Sequence, residues 1–230
     1  MRRSIVPLCV ALVALRPSRA TAQSPGRAQP AHALVTCEDS PKEGLRPPSV
    51  ACAVLAHTQF DSVPQGPLVL RFETFPTLAA AHRTSVPASA VIRAAGKVWL
   101  ITLATRGERS RGGRFVTELG PVPALSPASH YEMRVSEADF GPDLNPQLSN
   151  AVHTHSGPEF WYILTGAQCL ETPAGATRAS AGQGMFAPAD TPMQLSIAGS
   201  GKRDAIFVVV HDAARPATSV SDWQPKGRCR

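Results

Sequence analysis

The chain has 230 residues, 43% of them apolar and 17% charged, with a formal net charge of +6. Residues 1–22 carry Arg2, Arg3, Arg16 and Arg19 and no acid, so four of the six charges belong to that segment and +2 stays on the remainder. The remainder holds no Lys/Arg run interleaved with aromatics, which excludes the electrostatic footprint of a nucleic-acid-binding protein, and no apolar stretch reaches the roughly 20 residues of a membrane-spanning helix.

In chain order, "MRR", the apolar "SIVPLCVALVAL" and "RPSRATA" read as the charged, hydrophobic and cleavage regions of an export signal. Ala20-Thr21-Ala22 is a small-x-small cleavage pattern, so residues 1–22 are expected to be removed before Gln23. The mature protein is then expected in the periplasm or outside the cell, free of the membrane. A retained anchor is the alternative, and Arg2-Arg3-Ser4-Ile5-Val6 also resembles a twin-arginine signal. Cys9 leaves with the signal. Cys37, Cys52, Cys169 and Cys229 remain, an even set suited to an oxidising compartment. Four cysteines allow three pairings. Cys37 with Cys52, flanking a loop-like stretch, and Cys169 with Cys229, tying down a polar tail, is the pairing expected; a buried, unbonded Cys169 is the alternative.

Residues 23–35 are rich in Ala, Pro, Gln and Arg without periodicity and read as a flexible leader. Residues 36–122 read as a β-rich region. "SVACAVLA" and "PLVLRFETF" are expected strands, the second alternating Leu68, Leu70 and Phe72 with Val69, Arg71 and Glu73. "TLAAAHRT" is expected to be a short helix capped by Thr77. "SAVIRA" and "KVWLITLA" form a hairpin about Ala95-Gly96, followed by the strands "RFVTELG" and "HYEMRVSEA".

From residue 123 to 215, "AVHTH", "EFWYIL", "AQCLET", "ATRAS", "GMFA", "MQLSIA" and "AIFVVVHD" are separated by turn formers at close spacing. That rhythm fits an all-β double-sheet barrel or sandwich. Residues 216–230 read as a C-terminal tail.

One cluster carries chemistry. In a strand, residues i and i+2 share a face, so His153 and His155 present two imidazoles side by side. Ser156-Gly157-Pro158 turns the chain back, and Glu159 begins the next strand with its carboxylate aimed at the same point. Two imidazoles and a carboxylate suit one divalent transition metal; Fe, Mn, Cu, Ni and Zn are not distinguished by these residues. Trp161 and Ile163 share parity with Glu159 and should face the interior, as pocket walls or as plain core. Phe160, Tyr162 and Leu164 should face outward, where an N-terminal layer or a second copy in a homodimer must cover them. His211 ends a strand and is either a pocket residue or a surface histidine. His130, Tyr131 and Glu132 either line a pocket or begin a solvated strand, and His57 and His82 read as structural.

The pattern His153-x-His155-x3-Glu159-x6-Gly166 resembles the first motif of the cupin superfamily, G-x5-H-x-H-x3,4-E-x6-G, with Gln147 in place of the leading glycine. The second motif, G-x5-P-x-G-x2-H-x3-N, lies over Gly182 and Pro188, with Asp190, Met193 and Ile197 replacing its glycine, histidine and asparagine. The resemblance implies a double-stranded β-helix barrel over residues 123–215, with the N-terminal half as a degenerate second barrel in two-barrel members. It implies metal ligation by His153, His155 and Glu159 and a small-molecule ligand or substrate. It also points to an oxygenase or other oxidoreductase, with a non-catalytic binding barrel as the alternative. Met193, at the fourth ligand position, is a soft ligand, a packing residue that leaves three protein ligands, or the mark of a decayed site.

Overall fold

A computed structural model describes residues 37–39, 52–123, 125–140, 151–199 and 201–229. The expected signal and leader lie outside them, as do Gln147 and most of the stretch between Cys37 and Cys52. The elements in chain order are β1 (Glu38–Asp39), β2 (Cys52–Phe60), β3 (Leu68–Phe75), α1 (Leu78–His82), β4 (Ser89–Ala94), β5 (Lys97–Thr105), β6 (Arg114–Leu119) and β7 (Tyr131–Phe140). They continue with β8 (His153–His155), β9 (Glu159–Thr165), β10 (Ala167–Thr172), β11 (Gly175–Ser180), β12 (Gly184–Ala187), β13 (Gln194–Ile197), β14 (Arg203–Asp212) and β15 (Thr218–Val220). The fold is all-β. Helix α1 starts where Thr77 Oγ1 accepts the Ala80 N–H at 3.1 Å, and the β4–β5 hairpin turns through Ala95 and Gly96, both at positive φ.

The strands of the C-terminal half pair as nested hairpins. β7 pairs with β14, β8 meets β13 through the His153–Met193 bridge, β9 pairs with β12, and β10 pairs with β11. A run of four strands is thus folded back on the next four and rolled into two facing sheets, which is the jelly-roll solution to covering sheet edges. One sheet runs β7-β14-β9-β12 and is extended past β7 by β2 and β1. The facing side is built from β11-β10-β13 and β8 with β15. Residues 216–230, expected as a tail, therefore supply a strand, because β15 satisfies the open edge of β8. Beyond β15, the Glu171 carboxylate accepts the backbone N–H of Lys226 and of Arg228, and Cys229 bonds to Cys169 with Cα atoms 5.6 Å apart. Cys37 bonds to Cys52 at a Cα separation of 4.6 Å.

Among the described residues the N-terminal strands form one antiparallel layer, β4-β5-β3-β6, rather than a second barrel. β2 leaves that layer to pair with β7, so the layer cannot close on itself and lies on the barrel's larger sheet instead. A single apolar core joins the two, with Leu70, Phe72, Trp99 and Ile101 from the layer and Phe160, Tyr162, Val208 and Val210 from the barrel. Phe72 and Trp99 pack on Tyr162 at ring separations of 5.5 and 5.7 Å. The outward face of β9 is covered from within the chain, as its apolar side chains require. The other face of β3 is also buried, because Arg71 pairs with Glu73 at 3.1 Å and Glu73 in turn accepts the Ser110 N–H.

Because one core spans both layers, they should unfold together. Phe72→Ala is expected to cost about 3–5 kcal/mol, read by urea denaturation, with far-UV circular dichroism and tryptophan fluorescence giving one coincident transition. Two separated transitions would show that the layers are independent.

Candidate metal centre

β8 is held on both edges. Thr218 lies opposite His155 and Val220 opposite His153 on one side. On the other, His153 N–H donates to Met193 O at 3.2 Å and Met193 N–H to His153 O at 2.9 Å. Both imidazoles consequently point to the barrel interior, where they are buried. The chain then bends at Gly157, pressed so closely on β14 that a Cβ there would sit 1.8 Å from Val210 O. Only glycine permits that approach. Val210 N–H donates to Pro158 O at 3.2 Å across the same contact, and Glu159 emerges as the first residue of β9, opposite Val209 on β14 and Ala187 on β12. A turn that could have sent the carboxylate anywhere is fixed by this one backbone contact.

His153, His155 and Glu159 are 4%, 7% and 2% exposed, and their candidate ligand atoms all lie within 4.8 Å of one another. Each histidine has its Nδ1 against a backbone carbonyl, His153 with Ala151 O at 2.8 Å and His155 with Ala217 O at 2.9 Å. Thr218 Oγ1 stands 3.1 Å from the second Nδ1. Donation from Nδ1 selects the tautomer whose Nε2 lone pair is free for a metal. Burial pushes His153 below the ordinary imidazole pKa, against an opposing pull from Glu159. For His155 burial also acts downward, but the Glu159 carboxylate and the Ala217 carbonyl outweigh it and raise the pKa.

The atoms at the centre fit a cation. His155 Nε2 and Glu159 Oε2 stand 2.9 Å apart, an ion pair when the imidazole is protonated; with the imidazole neutral and its Nδ1 donating, neither buried atom has another hydrogen-bond partner. Leaving such atoms unsatisfied costs about 1–3 kcal/mol each. Two acceptor atoms held that close, once the imidazole is neutral, call for a cation between them. With bonds of 2.0–2.2 Å, two ligands on one ion stand about 3–3.5 Å apart at octahedral or tetrahedral angles, so the group, which spans up to 4.8 Å, must tighten by about 1.5 Å to hold one.

These groups open on a cavity of about 350 Å³. Trp161 lines it. Met193 and Ile163 do not; both are fully buried in the apolar cluster behind it with Leu170, Met185 and Ala205. Met193 therefore enters the site through its backbone bridge to His153, while its side chain packs. His211 is 4% exposed, which corrects the surface reading, but it is absent from the cavity wall and its Nδ1 contacts Asp212 O at 2.8 Å. His130, Tyr131 and Glu132 do not line the cavity either: His130 meets Asp61, Tyr131 stacks on Phe60, and Glu132 meets His57.

Among the wall residues that sequence reading missed are Arg134, Arg203, Ala217 and Thr218. The parity of β7 would have pointed to Arg134, which shares a face with Ser136 and Ala138. Arg203 follows "GSGK" and reads as a solvated loop charge, though it is 4% exposed. Burial pushes its pKa down to about 10, opposed by Asp204, Asp139 and Glu159, so it stays cationic near neutrality.

A metal ligand must present an unprotonated nitrogen, and His155 in the metal-free protein holds its proton to a higher pH than a free imidazole. Affinity for a divalent ion should fall as pH drops through that raised pKa, with protons released on binding. Calorimetry in two buffers of different ionisation enthalpy, between about pH 6 and about pH 8, would register the release. Affinity independent of pH across that range would remove His155 from the ligand set.

No family model matches the chain, and no curated protein sequence does. Among solved structures it is similar to a DMSP lyase from Ruegeria pomeroyi at 17% identity and a TM-score of 0.34, over 41% of this chain and 45% of that one. A cupin-like protein from Thermotoga maritima is similar at 13% identity and a TM-score of 0.34, over 39% of this chain and 64% of that one. An RmlC-like cupin with a double-stranded β-helix fold from Methanocaldococcus jannaschii is similar at 12% identity and a TM-score of 0.30, over 34% and 68%. The chain spans less than half the length of the lyase it matches. The C-terminal half of the chain folds as a jelly-roll barrel of nested strands, with two imidazoles and a carboxylate gathered at one point inside it.

Proposed function

We propose that the protein is an exported, metal-dependent cupin enzyme that acts on a small organic molecule, with oxygenase or other oxidoreductase chemistry. The observation that carries this reading is the buried His153–His155–Glu159 group opening on a cavity of about 350 Å³, near the small end of the size range of ligand pockets. A divalent transition metal held there would act as a Lewis acid and anchor the substrate. Two histidines and one carboxylate leave further coordination positions open, the donor set used by non-haem iron oxygenases. The packed Met193 side chain supports this reading, since it adds no fourth ligand from the protein.

The chain's own residues do the rest. The carbonyls of Ala151 and Ala217 hold the two imidazoles in one tautomer and orientation. Trp161, Phe207 and Val209 supply apolar walls to the cavity. Export is supported by the signal-like residues 1–22 and by two disulfides, which persist in oxidising compartments.

Elemental analysis of protein recovered from outside the cytoplasm, alongside the Glu159→Ala variant, tests the reading. The expected result is a mature N-terminus at Gln23 and one equivalent of a divalent transition metal in the parent, lost in the variant. Equal trace metal in both would overturn the metal centre. Turnover of a small-molecule substrate that needs Fe(II), Mn(II) or Cu(II) and vanishes in His155→Ala would mark an enzyme. Stoichiometric ligand capture indifferent to chelators would mark a binding barrel instead.

A further inference from the structure

Among the described residues, the charged side chains lining the cavity are Arg134, Arg203 and Glu159. Two guanidinium groups thus face one carboxylate, and a divalent ion on the latter would deepen the positive excess. Among the described residues the Arg203 guanidinium forms no hydrogen bond; it stacks on the Phe140 ring at 4.4 Å, and its Nε is buried without a partner. A buried cation in that state is costly unless another group satisfies it.

The strand ladders order the groups along the barrel. Arg203 lies opposite Phe140 and Val209 opposite Arg134 on the β14–β7 ladder. Phe207 lies opposite Trp161 and Val209 opposite Glu159 on the β14–β9 ladder. The cavity is therefore cationic at one end, aromatic in the middle, and at the other end carries Glu159 level with Arg134. The two arginine Cα levels are six ladder positions apart, about 20 Å at strand rise. The length of the two side chains shortens that gap, and Glu159 is near enough to Arg203 to act on its charge.

We propose that the ligand of this cavity is a small organic acid, its carboxylate on the Arg203 guanidinium, its apolar body between Trp161 and Phe207, and its far end at the His153–His155–Glu159 group beside Arg134. The planar fork of an arginine matches a carboxylate with two parallel hydrogen bonds. The aromatic middle and small volume favour a carboxylate on a short apolar body over a bulky phosphate ester. The inference deepens the metal-centre reading and rests on it only for the far end of the ligand.

Calorimetry on the mature full-length protein tests it with benzoate, phenylacetate and succinate, each set against its neutral amide. Each titration is run on Mn(II)-loaded and on chelator-treated protein, with inorganic phosphate as a further probe. At least one carboxylate should bind about tenfold or more tightly than its amide, as a charge-assisted hydrogen bond allows, in both metal states. Arg203→Gln should abolish the preference with metal content unchanged, and Arg203→Lys should restore part of it. Equal binding of acids and amides, or no binding of any acid, overturns the proposal. So does a preference that survives in Arg203→Gln, one that needs the metal, or phosphate binding above every carboxylate. If Arg203→Gln does not fold, the acid-against-amide comparison on the unsubstituted protein still decides. Failure of the metal centre would show separately, as absent Mn(II) uptake beside an intact preference for acids.

Discussion

The contact between Gly157 and the backbone of Val210 is the constraint on which the site depends. A single missing Cβ lets the chain leaving β8 run against β14, and only from there can Glu159 start β9 with its carboxylate beside both imidazoles. The histidines are fixed independently, by the ladder to β15 and the bridge to Met193. The site is thus the meeting of two separately anchored strands at one bend. Its buried His155 and Glu159 atoms are tolerable in this fold because a shared proton or a cation can satisfy both at once.

β9 shows how the rest of the molecule serves that bend. Its residues alternate between two burials: Glu159, Trp161 and Ile163 face the barrel interior, while Phe160 and Tyr162 face the N-terminal layer. A strand buried on both faces slides with difficulty, because a one-residue slip would exchange a carboxylate for a phenyl ring. The N-terminal strands therefore act as a clamp on the register of the strand that carries Glu159. The C-terminal segment plays the matching part on the other sheet: Ala217 and Thr218 orient His155, and the residues beyond are tied down by Glu171 and by the Cys169–Cys229 bond.

The electrostatic character of the cavity follows from where strand parity places charges. Arg203 is buried on a strand whose neighbouring interior residues, Ala205 and Phe207, are apolar, so it is not screened by water as a surface arginine would be. Asp204, Asp139 and Glu159 hold the charge of Arg203 up against its burial. A binding chamber rich in fixed positive charge selects by sign before it selects by shape.

Period-two alternation and turn residues determined the all-β class, nearly every strand, the capped helix and the Ala95-Gly96 hairpin, because those depend on local backbone preference and on which residues avoid water. The spacing of His153, His155 and Glu159 was legible for the same reason: strand parity and one short turn place them on a common side. Tertiary structure alone decided that the N-terminal strands form a covering layer rather than a barrel, because β2 pairs with β7 across some 75 intervening positions, a choice no local pattern encodes. It alone showed Met193 packed, His211 buried away from the cavity and Arg203 inside it. Burial of a side chain is set by which distant strands arrive beside it, and the residues next to it in the chain do not carry that information.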